Sequence, residues 1–188
     1  MNSIRAQYNL QAAVAQAVKL ARSSDSEAVR SFCQKVRSQF PQSMELLKLH
    51  YAVCGDLAAH REAILVCLEY LQQSSQAHEV YAMLNASLGK FNKHDPEILD
   101  AFAKLSTMEA CECELYYLVK SRNSLDSEKV FQRLQAQWGT ETKIGYAQYA
   151  DALYDCELYE AAESACWKAL ERAPMDPLRL RRLIEVIL

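Results

Sequence analysis

The sequence predicts an all-α fold made of repeated antiparallel helix hairpins, and three observations carry that prediction. Only 4 Gly and 4 Pro occur in 188 residues, fewer turn residues than a sheet protein of this length normally uses. Apolar residues recur at three- and four-residue steps along most of the chain, the spacing of one helical face. The runs also recur with a period: division at 10–43, 44–77, 78–110, 111–142 and 143–176 gives five units of similar length, followed by a capping helix at 178–188. A helix pair of this size cannot bury its own apolar face, so neighbouring pairs must stack.

The elements follow in order. Residues 4–22 place Ile4, Tyr8, Val14 and Val18 on one stripe of an Ala-rich helix. Ser23, Ser24, Asp25 and Ser26 supply a turn and a choice of N-cap, and Glu27 adds negative charge to the first turn of a helix at 26–39. Pro41 ends that helix, because the residue before a proline is pushed out of helical geometry. The next pair is 43–54 and 57–73, broken at Gly55-Asp56. The third pair is 77–91 and 95–107, with Asp95 as N-cap and Pro96 in the first helical position. Helices at 109–120 and 126–138 make the fourth. The fifth, 146–174, breaks near Cys156–Glu157 and is closed by Pro174. In the last helix Leu180, Leu183, Ile184 and Ile187 are expected on one face, with Arg181, Arg182 and Glu185 on the other.

Composition narrows the function class. The net charge of −3 is split, +3 over residues 1–94 and −6 over 95–188, and neither half has the strongly basic face that nucleic acid requires. No stretch reaches the roughly 18 apolar residues of a membrane span, and no N-terminal secretory pattern is present. Cys33, Cys54, Cys67 and Cys166 lie in apolar runs where a free thiol packs as a small hydrophobe. A reducing, cytoplasmic compartment is therefore expected. Cys111 and Cys113 form a close pair without a second pair or a nearby His, so neither metal nor cofactor is expected. There is no glycine-rich phosphate loop, no metalloprotease helix and no nucleophile in a recognised turn, and no catalytic residue is assigned.

The fifth unit resembles a tetratricopeptide repeat. Tyr146, Tyr149, Ala150 and Leu153 take the large, large, small and aromatic slots of its first helix. Ala162, Cys166, Ala169 and Pro174 take the small, aromatic, small and proline slots that follow. The second unit matches through Leu47, Ala63 and Cys67, and the others mainly by length and helix placement. The resemblance implies a right-handed superhelix whose first helices line a concave groove. It also implies a non-catalytic adaptor, chaperone or complex subunit holding an extended segment or amphipathic helix there.

Mapped onto this chain, the resemblance gives Lys48, Ala52, Ala82, Ala86, Lys90, Arg122, Asp151, Tyr154 and Asp155 as partner-contacting positions. A clamp for a C-terminal carboxylate is incomplete, because Ala52 and Met83 stand where it needs Asn. The alternative is a scaffold that dimerises through its C-terminal helix.

Overall fold

The computed structural model describes residues 2–22, 25–74 and 78–187, with residues 2–8 as backbone only. The expected core positions Ile4 and Tyr8, the turn residues Ser23 and Ser24, and Leu188 lie outside that description. The described residues form eleven α-helices and no strand: α1 (Asn2–Ala21), α2 (Ser26–Arg37), α3 (Met44–Asp56), α4 (His60–Leu71), α5 (His78–Leu88), α6 (Pro96–Phe102), α7 (Met108–Lys120), α8 (Ser124–Trp138), α9 (Tyr146–Asp155), α10 (Tyr159–Arg172) and α11 (Pro177–Ile187). No helix among them is long and apolar enough to cross a membrane. The chain divides into two compact units, Met1–Lys90 and Phe91–Leu188.

Side chains set several of the helix starts. Asp25, Ser43, Thr107 and Asn123 each accept a hydrogen bond from the backbone N–H three residues on, at 3.0–3.3 Å, filling donors that a helix N-terminus leaves unpaired. Asp95 does the same for Glu97 and Ile98 ahead of Pro96. Helix α6 ends at Phe102, five residues short of the expected 107, because Thr107 takes extended backbone to cap α7.

Three hairpins close with one turn geometry. Ala58, Arg122 and Glu157 have positive φ of 53°, 59° and 61°. In each turn the N–H of this residue bonds a carbonyl three back, at 2.8–3.1 Å, and the next N–H bonds one five back, at 2.8–3.0 Å. This is the Schellman ending, which satisfies the last carbonyls of a helix by one left-handed residue. Gly55, expected to break α3, lies inside the helix instead. The carbonyls of Cys54 and Gly55 are the acceptors, so the left-handed residue falls three positions after the glycine.

In the first unit α3 packs between α2 and α4, α1 packs on α2 and α3, and α4 packs on α5. Ala17, Val29, Cys33, Val36, Leu46 and Val53 form one buried cluster there. Helix α3 also reaches α5: the Tyr51 hydroxyl donates to the Met83 carbonyl at 2.8 Å, and Lys48 pairs with Glu79 at 2.6 Å. In the second unit α7 packs on α8, α9 on α10 and α10 on α11. Phe131 stacks on Tyr149 with centroids 4.3 Å apart and meets the edge of Tyr146 at 4.8 Å. The small residues Ala150 and Ala162 are fully buried beside them, which lets the helices approach.

Candidate functional site

The most concentrated polar chemistry in the first unit lies where α2, α3 and α4 meet. Helix α2 carries Arg30, Gln34 and Arg37 at four- and three-residue steps, and α4 carries Glu62 and Glu69 seven apart. Each glutamate stands 32 residues after its arginine, so the two rows face each other. Arg30 donates through Nε to Glu62 at 2.6 Å, and Gln34 donates to the other Glu62 oxygen at 2.6 Å. Arg37 is 4% exposed and bonds Glu69 at 3.0 Å and the Val66 carbonyl at 3.2 Å. His50 comes up from α3 between the rows. Its Nε2 lies 2.8 Å from Glu62 and its Nδ1 3.4 Å from Arg37.

The partners fix the histidine tautomer. Arg37 offers only donors, so Nδ1 must accept, and Nε2 then carries the proton donated to Glu62. Burial, and behind it the positive charge of Arg37 and Arg30, holds the His50 pKa below its usual value against the opposing pull of Glu62. For Glu62, burial alone would raise the carboxyl pKa. The hydrogen bonds from Arg30, Gln34 and His50 outweigh it and hold the group below the usual range. The result is a neutral imidazole bridging a carboxylate and a guanidinium.

Cys54 completes a set with His50 and Glu62 whose donor atoms all lie within 4.8 Å of one another. Two chemistries would use such a set, and the geometry fits neither. A Cys–His–carboxylate triad needs the ring to bridge carboxylate and thiol, whereas here both ring nitrogens are taken by Glu62 and Arg37. A metal would have to displace Arg30 and Gln34 from Glu62 beside two guanidinium groups. The thiol is also held in its protonated form, with a pKa pushed up to about 12 chiefly by burial.

The positions expected to contact a partner are distributed over both units. In the first, Lys48, Ala52, Ala82, Ala86 and Lys90 are all exposed, and Lys48 is engaged by Glu79. In the second, Arg122 pairs with Glu157 at 2.5 Å, joining the left-handed residues of two successive turns. Asp151 is bonded by Arg179 at 2.9 Å and by Arg182 at 3.0 Å. The Arg182 guanidinium lies 4.3 Å over the Tyr154 ring, whose edge meets Tyr159. Asp155 is exposed. Thus α11 occupies the α9 face that carries Asp151 and Tyr154. Its inward residues are Arg179, Arg182, Leu183 and Val186, while Leu180, Ile184 and Ile187 point outward. This differs from the expected division of α11, because Asp151 draws the arginines in.

The Arg–Glu rows of α2 and α4 were not among the expected sites. Their signal in the sequence is opposite charge repeated one period apart on second helices, Arg30 with Glu62 and Arg37 with Glu69. No protein-family model matches the chain, and no curated protein or solved structure does either.

Proposed function

We propose that this chain is a TPR-like superhelix acting as a non-catalytic protein-interaction module. Its first helices would hold an extended segment or an amphipathic helix of a partner. The observation that carries the reading is a spacing near 32 residues in several side-chain bonds between neighbouring hairpins: 32 residues for Arg30–Glu62, Arg37–Glu69, Tyr51–Met83 and Arg179–Ala147, 31 for Asp151–Arg182 and 35 for Arg122–Glu157, with Lys168–Glu128 wider at 40. Equivalent helices meeting one repeat apart is the signature of a stacked hairpin array. The three Schellman turns support it independently.

Exposed Ala52, Ala82 and Ala86 offer a low-relief surface that an apolar side-chain stripe can approach closely. The test is co-purification from the protein's own cell extract with wild type and with Ala82→Arg/Ala86→Arg. Both positions are exposed, so the variant keeps its helical circular dichroism. Loss of the captured partner supports the reading, and undiminished capture refutes this face as the site.

A second reading is self-association through α11, favoured by Leu180, Ile184 and Ile187, which are 41%, 57% and 58% exposed in one stripe. Light scattering over a concentration series tests it. A dimer that Ile184→Lys dissociates supports the scaffold reading, and a monomer at every concentration removes it.

A further inference from the structure

Arg37 is almost completely buried, yet its hydrogen bonding is incomplete. Nη2 serves Val66 and Glu69, Nη1 makes one long contact to His50, and Nε has no partner. Its counter-charge is the weak part of the arrangement. The Glu69 side chain is 53% exposed and touches a single guanidinium nitrogen. An arginine presents a planar fork that matches the two oxygens of a carboxylate, and here the fork is half filled.

Beside it a cleft of about 520 Å³ lies between α2 and α4, lined by Arg30, Gln34, Arg37, Ser38, Arg61 and Leu65 among others. That volume lies in the ordinary range of small-ligand sites. Three arginines, Arg30, Arg37 and Arg61, and two glutamates, Glu62 and Glu69, belong to the lining.

We propose that this cleft is a carboxylate-binding site in which a ligand carboxylate takes both arms of the Arg37 fork and turns Glu69 out into solvent. Glu69 is then a resident stand-in for the ligand. A planar group with two oxygens matches the guanidinium fork better than a tetrahedral anion does. The lining comes mainly from the second helices α2 and α4 and includes none of Ala52, Ala82 and Ala86, so the proposal does not rest on the groove reading. The carboxylate has two possible sources, a small free acid or an acidic side chain of another protein.

The experiment follows the His50 ring resonances in the full chain, because Nδ1 contacts Arg37 directly. Glutarate, a capped peptide containing one Glu, and inorganic phosphate are titrated separately at constant ionic strength. Saturable movement of the His50 signals by glutarate or by the peptide is expected, and whichever acts more tightly identifies the source. Glu69→Gln removes the competing charge while keeping an amide oxygen that can accept from Arg37, and it should tighten binding by about fivefold. Arg37→Gln should abolish it. The proposal is overturned if neither carboxylate shifts His50 in wild type or Glu69→Gln, if Glu69→Gln leaves affinity unchanged, or if phosphate binds more tightly than both. Ala82→Arg/Ala86→Arg should leave the titration intact, which separates this result from the fate of the groove.

Discussion

At Ala58, Arg122 and Glu157 the chain puts a side chain where a helix ending of this kind ordinarily takes glycine. A Cβ at positive φ crowds the backbone, so Ala58→Gly should stabilise the protein by about 0.5–1 kcal/mol, read as a higher urea midpoint. A lower midpoint would mean that the turn is not held as described. His50 supplies a pH prediction. Its folded pKa lies below the ordinary 6.5, so the unfolded chain takes up a proton first. Stability is full above about pH 6.5 and falls as pH drops from there toward the folded value. Glu62, also depressed, adds a second loss as pH falls from its ordinary 4.5 through its folded value. Urea midpoints between pH 7.5 and pH 5 should decline in wild type and stay nearly flat in His50→Gln; equal slopes would show that His50 is not the group. At this scale Asp95 was legible as an N-cap by residue type and Asp25 as one of four candidates, whereas the caps Ser43, Thr107 and Asn123 were not anticipated. The turns were less so. Gly55 drew the expected break to itself, while the hydrogen-bond pattern chose Ala58.

Helices were legible as elements because a 3.6-residue apolar period survives any packing partner, and among the described helices every end but the C-terminal end of α6 agrees with it to within a few residues. Which face of an element meets which neighbour was harder to read. On α2 the polar row Arg30, Gln34 and Arg37 looks like a solvated face until α4 brings Glu62 and Glu69 across from it. On α11 hydrophobicity alone would bury Ile184. Two arginine bonds to Asp151 instead rotate the helix so that Leu183 and Val186 face inward. Asp151→Ala should therefore loosen α11 more than any other helix. A cost of about 1–2 kcal/mol is expected from two charged donors left without their acceptor, together with faster amide exchange confined to residues 178–187. Uniform acceleration across the second unit would argue that α11 is held by its apolar contacts instead.

Across the whole molecule, each compact unit has its own core, and both tryptophans, Trp138 and Trp167, belong to the second. Fluorescence thus reports Phe91–Leu188, while helical circular dichroism reports the full chain. Glu62→Ala leaves Arg30, Gln34 and His50 without their shared acceptor and should cost the first unit about 2–4 kcal/mol. The expected outcome is an earlier first loss of helical signal with the tryptophan transition unmoved; coincident shifts of both signals would show that the chain unfolds as one cooperative body. The period that made the hairpins visible in the sequence says nothing about where cooperativity breaks. That depends on which bonds cross each loop, and the boundary falls after Lys90, inside what the period treats as the third hairpin.

The thiols turn this architecture into its own stopwatch. Cys33, Cys54, Cys67, Cys111, Cys113 and Cys166 are buried on five different helices, and Cys156 sits half-covered at a turn. Burial raises the thiol pKa at Cys33, Cys54, Cys111, Cys156 and Cys166, so an alkylating reagent must wait for the surrounding helix to open. Mass-resolved labelling over time would then rank α2, α3, α4, α7 and α10 by how often each breathes, in the wild-type chain and without adding a probe.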